Sequence, residues 1–490
     1  MRLSKLFAAV ENGRIITEDD GEREVLALFT DSRQQVTSGL FFCLKGATSD
    51  GHAYAKEAIK NGAVALVTER QLFVEVPQII VENVRETLGK LAAVFYDNPS
   101  EKMQVIGVTG TNGKTTVSYM LASILRSAEK RVGIIGTLGI VYGKTHIPTE
   151  LTTPDPIQLH SALSDMYMRG IQYVVMEVSA HALYYKKTVG VRFAACIFTN
   201  LSQDHLDFFN AMPAYQDAKR KLFLPEVSPI AILNGDDEAG RSFGKMREVE
   251  GAKTFYYGLN TPTDAFAVIT DESARGSECM LNVNDKLCRV SLSFVGKHNI
   301  YNALAAATCA LELGMDMESV AQGLSSLKGV EGRLQWINEY KGGHIYVDFA
   351  HTPDGVSRVL DALRQHCTGR LICLFGCGGN RDKTKRSIMG EIVAKKADFA
   401  ILTSDNPRYE DPLDIISAIE KGYRRFSVKY VIVPDRRRAI DYGLDFLQKG
   451  DILLVAGKGA EEYQEIMGIK YPFKDHDIIQ NLLSMKGKRG

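Results

Sequence analysis

One stretch constrains this chain more than any other: residues 105–130, VIGVTGTNGKTTVSYMLASILRSAEK. Val105, Ile106 and Val108 fit a short buried strand, and Val117, Met120, Leu121, Ile124 and Leu125 fall on one stripe of a helix. Between them runs Gly110, Thr111, Asn112, Gly113, Lys114, Thr115, Thr116. Strand, glycine loop, Lys-Thr and helix is the order of a phosphate loop. Backbone N–H groups and the helix N-terminus face the phosphates, Lys114 supplies positive charge, and the Thr115 hydroxyl can reach Mg²⁺. The G-x-x-G-K-T spacing is shorter than the common loop, and an ordinary strand-to-helix turn also fits the glycines. The Lys-Thr pair between the right flanking elements favours nucleotide binding.

Bulk properties bound the rest. At 490 residues the chain predicts about two or three domains. Lys+Arg and Asp+Glu both number 59, so no net charge points to nucleic acid or to a membrane surface. No apolar run reaches the roughly 18 residues of a spanning helix, and Lys5 and Glu11 interrupt what would otherwise look like a leader. The eight cysteines form no C-x-x-C pair. Cys43, Cys196 and Cys373 lie in apolar runs, as buried free thiols do. A reducing cytoplasm is expected.

Three α/β domains are predicted, at 1–98, 99–328 and 329–490. In the first, 40–44 and 63–67 read as strands around a helix at 53–60, and Thr30, Asp31, Ser32 and Arg33 form a polar loop. Asp97, Asn98, Pro99 and Ser100 make a linker. The second domain alternates strands and helices, which implies a parallel sheet covered on both faces and a site beyond the strands' carboxyl ends. At that edge fall Thr152 and Thr153, then Glu177 after the strand 173–176 with Ser179 and His181 behind it, then His205 after the strand 196–199. A strand-end Glu is often merely exposed. Beside Thr115 and His205, Glu177 becomes a candidate metal contact. His181 fits a hydrogen-bonded loop histidine. The run 215–223 reads as a helix whose basic residues, taken alone, are a solvated face, and an alanine-rich helix is expected over 303–313. In the third domain, strands ending at 348, 375, 403 and 455 empty into polar or glycine-rich loops, which suggests one edge and one site. The loop at 376–379 fits either a second nucleotide contact or a tight turn.

Taken in order, GTNGKTT, EVSAH, TNLSQDHLDFF, YQDAK, NGDD, GKHN, EGR, DFAHTPD, GGNRD, DNPR and GKGAEE resemble the Mur ligase family over essentially the whole chain. The resemblance implies a central ATPase domain between an N-terminal domain for the UDP-linked substrate and a Rossmann-like C-terminal domain for the amino acid. It implies ATP-dependent addition of an amino acid to UDP-N-acetylmuramoyl-L-alanyl-D-glutamate for peptidoglycan, by a cytoplasmic enzyme expected to be a monomer. Lys114, Lys219, His205, Arg333 and Asp348 would be catalytic. Asn299 and Arg333 would join the loop in holding ATP. Thr115, Glu177, His205 and a carbamylated, CO₂-derived Lys219 would serve Mg²⁺. Thr30, Ser32, Thr152, Thr153, Ser179, Tyr185 and Lys187 would hold the nucleotide substrate. Arg381, Asp405, Asn406, Pro407, Arg408, Gly457 and Glu461 would hold the amino acid. DNPR matches members that add meso-diaminopimelate. Its far carboxylate suits the Arg408 fork, and lysine is expected to leave that fork desolvated and unpaired. Lysine addition, a folylpolyglutamate- or cyanophycin-type ligase, and a silent nucleotide-binding regulator are the alternatives. The chain departs from the family pattern at Ala180, Tyr185, Lys187 and Ala460.

Overall fold

The structure is a computed structural model describing residues 1–10, 13–16, 22–46 and 49–487. Its described strands form sheets of five, eleven, six and two strands. The five-stranded sheet runs Arg14–Ile16, Gln78–Ile80, Ala63–Thr68, Gly39–Phe42, Ala27–Phe29, parallel except at its first edge. The expected helix at 53–60 is a 3₁₀ turn, Gly51–Tyr54, running into Ala55–Lys60.

The middle of the eleven-stranded sheet is parallel, as the alternation predicts. Its strands lie in the order Lys253–Tyr257, Ile230–Asn234, Ala195–Phe198, Gln104–Thr109, Tyr173–Glu177, Val132–Gly136. The strand before the phosphate loop is therefore central, and the ends of Tyr173–Glu177 and Ala195–Phe198 open on either side of it. Both flanks of this sheet are antiparallel: Ala265–Ser273, Gly276–Val283 and Lys286–Leu292 on one side, Gly139–Tyr142 and Thr145–Ile147 on the other. The turn at Asn284 and Asp285, both at positive φ, is the two-residue hairpin turn that such a flank requires.

The helix after the loop, Lys114–Ser127, buries Val117, Met120, Leu121, Ile124 and Leu125 completely. It packs on the alanine-rich helix, which is longer than the sequence pattern suggested: Lys297–Glu312. The earlier start places Asn299 and Asn302 on the first turns of a helix, directly behind the phosphate loop. A Cβ on Gly113 would lie 2.5 Å from Asn302 Oδ1, so that position accepts only glycine.

The six-stranded sheet has the order Gln335–Tyr340, Gly343–Asp348, Ile452–Ala456, Leu371–Phe375, Phe399–Leu402, Lys429–Ile432, parallel but for its first strand. Its four expected strand ends share one edge. A hairpin, Tyr463–Ile466 with Ile469–Pro472, folds over that edge. Beneath it, Arg436 and Asp475 form an ion pair with no solvent exposure. Arg436 donates to both Asp475 oxygens (2.8 and 2.7 Å) and to the Ala456 carbonyl (3.0 Å). Breaking such a pair by removing one partner costs about 3–5 kcal/mol. It ties the helix Asp475–Gly487 to the strand end at Ala456, which leads into the loop 457–461. Cys43, Cys196 and Cys373 are buried free thiols, as expected.

Candidate active site

A cleft of about 1140 Å³ lies between the edges of the eleven- and six-stranded sheets, and residues of both line it. At its phosphate-loop end, Gly110 has φ +146°, and its Cβ would fall 1.9 Å from Thr199 Oγ1. The Lys114 ammonium folds back onto the carbonyls of Gly110 and Thr111, 3.0 Å from each. Lys219 donates to the same Gly110 oxygen at 2.8 Å and lies over the Tyr215 ring, 4.6 Å from its centroid. Two lysine nitrogens thus converge on one carbonyl. Burial, then the neighbouring Lys114 charge, hold the Lys219 amine well below the ordinary lysine range. The reading of its helix, Met212–Arg220, as a solvated basic face is corrected at this residue, which is only 1% exposed. The spacing of Tyr215, Ala218, Lys219 and Leu222, at i, i+3, i+4 and i+7, already carried that signal.

Glu177 is 1% exposed. One of its oxygens accepts from the Thr137 N–H (2.9 Å), the other from the hydroxyls of Thr115 (3.0 Å) and Thr137 (3.1 Å). Arg333 reaches across from the other sheet, and its Nη2 donates to Thr115 Oγ1 at 2.9 Å. Behind Arg333, Asp348 accepts from the N–H groups of Leu334 (2.5 Å) and Ala350 (2.6 Å). Burial raises the Asp348 pKa, and the Arg333 charge opposes the rise. Asp348 therefore shapes the turns that carry Arg333 and Phe349. A second bridge joins the two edges where Asp354 Oδ2 accepts from Asn112 Nδ2 and Ser202 Oγ, both at 3.0 Å.

His205 sits at φ +55° next to Asp204, 3.4 Å away, with its ring edge-on to His181 at 4.7 Å. Burial lowers its pKa, with Asp204 pulling the other way. His181 lies on the short helix Ala180–Tyr184, not in a loop. Asn299 donates to Val295 O (2.9 Å) and accepts from Asn302 (3.1 Å). Among the described residues, no group of three or more His, Cys, Asp or Glu side chains is placed to hold a metal ion. What the cleft offers is a buried carboxylate and a threonine hydroxyl beside a phosphate loop. That is the sparse oxygen set Mg²⁺ uses when phosphates and water complete its shell.

Of the residues read as holding the nucleotide substrate, Thr152, Thr153, Ser179, Tyr185 and Lys187 line the cleft, whereas Thr30 and Ser32 do not. Thr153 Oγ1 donates to Glu177 O (2.9 Å) and accepts from Ser179 N–H (3.1 Å), and Ser179 caps the next helix. Lys187 pairs with Asp155 at 2.8 Å. Tyr185 lies under Arg85 of the first sheet's helix Val84–Phe95, 5.0 Å from ring centroid to guanidinium. The Ser32 hydroxyl donates to Glu57 at 2.6 Å.

The far end is a network of side chains. Arg408, held at φ +53°, pairs through Nε with Glu465 (3.0 Å) and donates from Nη1 to Gly379 O (2.9 Å). The expectation of an unpaired fork is thereby corrected, because a carboxylate of the protein already sits on it. Asn406 donates to Glu461 (2.8 Å), and the fully buried Lys458 joins Asn406 Oδ1 (3.0 Å) to the same Glu461 oxygen (2.9 Å). Asp405 is buried against Gly457, whose Cβ would meet Asp405 Oδ2 at 2.5 Å. Arg381, Asp405, Asn406, Arg408, Gly457 and Glu461 all line the cleft, and Pro407 packs its carbonyl over Gly379.

Residues 25–96 match the Mur ligase family catalytic domain, 108–310 the Mur ligase middle domain, and 332–459 the Mur ligase glutamate ligase domain. The chain belongs to the Mur ligase family. It is 42% identical over 460 residues, 94% of each chain, to the UDP-N-acetylmuramoyl-L-alanyl-D-glutamate--2,6-diaminopimelate ligase of Caldanaerobacter subterraneus subsp. tengcongensis. It is 40% identical to ligase 1 of the same name from Clostridium acetobutylicum, over 99% of each chain. A solved structure of a ligase of that name superposes with a TM-score of 0.71 at 29% identity, covering 99% of each chain. MurF of Thermotoga maritima, solved with ADP, shares the fold at 22% identity, with a TM-score of 0.63 over 95% of this chain and 98% of that one.

In this Mur ligase, sequence reasoning missed Thr137, Asp354, Lys458 and Glu465 as members of the site. Thr137 was findable, since it follows a buried strand, Val132–Gly136, by the rule that found Glu177. Asp354 stands within DFAHTPD. Glu465 had no local signal, because its partner comes from the loop at 405–408, and Lys458 joins that loop to Glu461, three residues on.

Proposed function

We propose that this chain uses ATP to join meso-diaminopimelate to UDP-N-acetylmuramoyl-L-alanyl-D-glutamate in peptidoglycan precursor synthesis. The observation that carries the reading is the placing of two kinds of cation on one cleft. Lys114 and Arg333 sit at a phosphate loop, and Arg381 and Arg408 at the opposite end. A reaction that transfers phosphate to a carboxylate and then admits an amino acid needs both. The division of labour follows the sheets. We assign 1–98 to the UDP end of the substrate, through Thr30 and Ser32, 99–328 to ATP, and 329–490 to the amino acid.

In the first half-reaction the D-glutamyl carboxylate attacks the γ-phosphorus of ATP, and ADP leaves. In the second the amine of diaminopimelate attacks the acyl phosphate carbonyl, and the tetrahedral intermediate expels phosphate, leaving an amide. Charge builds on phosphoryl oxygens, so fixed cations and N–H groups dominate. Lys114 leaves its carbonyl contacts for the phosphates, the backbone N–H groups of the loop face them, and Arg333 adds a cation from across the cleft. Asn299 and Asn302 back the loop at the nucleotide. Mg²⁺, where Glu177 and Thr115 with His205 nearby would hold it, supplies charge neutralisation to the phosphates. The Lys219 amine, whose protonated form burial disfavours, adds to CO₂ through its neutral form, and loss of one proton leaves a carbamate anion. Thr152, Thr153, Ser179, Tyr185 and Lys187 bind the muramoyl dipeptide so that its carboxylate faces the loop. Asn406, Arg408, Gly457 and Glu461 take the far end of diaminopimelate, with Arg381, Asp405 and Pro407 around it. No helix among the described residues is long and apolar enough to cross a membrane. Since one chain supplies both walls of the cleft, the reading is of a monomer working in the cytoplasm.

The test is release of ADP with ATP, Mg²⁺ and UDP-N-acetylmuramoyl-L-alanyl-D-glutamate, offering diaminopimelate, lysine, alanine and glutamate in turn. Diaminopimelate-dependent release with amide product is expected. Release indifferent to the amino acid would overturn the reading.

A further inference from the structure

Arg408 does not wait empty for its substrate. Its Nε lies 3.0 Å from Glu465 Oε2, with the two side chains 16% and 20% exposed. Backbone fixes the pair. The Arg408 N–H donates to Glu465 O (3.0 Å), and its carbonyl accepts from the Met467 N–H (2.7 Å), so the hairpin Tyr463–Ile466 with Ile469–Pro472 clamps the residue at positive φ. The Glu465 N–H in turn donates to Asn406 Oδ1 (3.0 Å), joining Glu465 to the Asn406–Lys458–Glu461 network. Of the five guanidinium N–H groups one is committed, to Gly379, while the Nε edge is ion-paired with Glu465.

We propose that Glu465 is a specificity-determining residue that substitutes, in the substrate-free site, for the far carboxylate of the acceptor, and so narrows the preference for diaminopimelate over lysine. The inference rests on the function proposed above. Diaminopimelate brings a second carboxylate to a guanidinium that already holds one, so the two anions repel. Lysine brings an ammonium and no carboxylate. With lysine bound, Arg408 stays paired to Glu465, so no uncompensated guanidinium faces the lysine ammonium. Glu465 therefore works against the correct substrate and for the wrong one, while keeping a cation compensated whenever the site is empty.

Glu465→Gln tests this with the full chain, by measuring ADP release at saturating ATP and UDP-linked dipeptide with diaminopimelate and, separately, lysine. Gln keeps the shape, and the main-chain bonds of residue 465 do not depend on its side chain. In the variant kcat/KM for diaminopimelate rises about threefold, through KM, and that for lysine falls about threefold. The ratio widens by about tenfold, the scale of one charge contact in a partly exposed site. Glu465→Ala gives the same two signs. A loss for both amino acids would make Glu465 a mere prop for Arg408 and overturn the proposal, as would no change in either. These outcomes all presuppose diaminopimelate turnover by the native protein. Its absence would instead overturn the proposed function, and this inference with it.

Discussion

The two ends of the cleft hold their positive charges in opposite ways. At the phosphate loop, Lys114 and Lys219 rest on neutral backbone oxygens, three contacts to Gly110 and Thr111. At the amino-acid end the cations are matched by carboxylates: Arg408 by Glu465, Lys458 by Glu461, and Arg386 by Glu410. An incoming phosphate at the first end displaces only dipoles. An incoming carboxylate at the second must share or exchange with an anion already there. The first end gives strength toward any polyphosphate, and at the second the resident carboxylates temper the pull on an incoming one.

Four experiments break or sharpen this contrast. The largest effect is expected for Lys114→Ala, which removes a cation held on backbone carbonyls rather than in a close ion pair. Turnover should fall by about 10²-fold or more, as for loss of comparable transition-state donors. Near-normal ADP release from that variant would mean the loop lysine is not the phosphate cation.

Lys219 comes next, with an effect of opposite sign on stability. Lys219→Ala should lose most activity and regain part of it with added short carboxylic acids, and full activity without rescue would count against a carbamate. Because burial depresses its pKa in the folded protein, the unfolded chain binds the proton more tightly. Stability must then rise with pH between the depressed value and the ordinary 10.5, and the buried amine is a liability at neutral pH. In CO₂-free buffer near neutral pH, Lys219→Met should raise Tm by about 2–4 °C and flatten that rise with pH. Thermal melts that show the variant less stable would refute the sign.

Arg408→Ala is expected to do less than an unpaired fork would imply. Its loss removes a charged hydrogen bond but also frees Glu465, so kcat/KM for diaminopimelate should fall by about tenfold, near the low end for such bonds. An unchanged preference over lysine would sever the link between this arginine and the far carboxylate.

The smallest effect concerns how the ends approach each other. Trp336 is the chain's single tryptophan, and the Arg275 guanidinium from the eleven-stranded sheet lies 5.0 Å from its ring centroid, across the junction with the six-stranded sheet. If ATP analogue and nucleotide substrate close the cleft, tryptophan emission should change on binding both, and the scattering radius should shrink. Unaltered emission and radius would show that the cleft is already closed around its ligands.

The same contrast explains what the sequence made legible. The phosphate loop is local: strand, turn and helix are contiguous, so Gly110, Gly113, Lys114 and Thr115 could be read directly. Glu177 was readable one step further out, because strand ends in a parallel sheet share an edge. The amino-acid end is long-range. Arg408 could be singled out, but its partner is contributed by a hairpin that only the tertiary fold brings to it. Ser32 shows a different limit. Its hydroxyl donates to Glu57 and it lies outside the cleft, a placement that its residue type does not announce. The antiparallel flanks were overlooked although Asn284 and Asp285 announced one of them. The alternation of strand and helix elsewhere had drawn attention to parallel pairing.

The buried pair of Arg436 with Asp475 bears on how the molecule is made. Synthesis runs from the amino end, and Asp475 leaves the ribosome 39 residues after Arg436. Until it does, the guanidinium lacks its direct carboxylate partner, and the strand end that feeds the loop 457–461 lacks its anchor. The phosphate loop, by contrast, acquires Lys219 long before Asp475 is made. A nascent chain stalled short of residue 475 should therefore capture ATP analogue on a resin while failing to retain diaminopimelate. If that outcome holds, the order of synthesis separates the two ends of the cleft in time as the fold separates them in space.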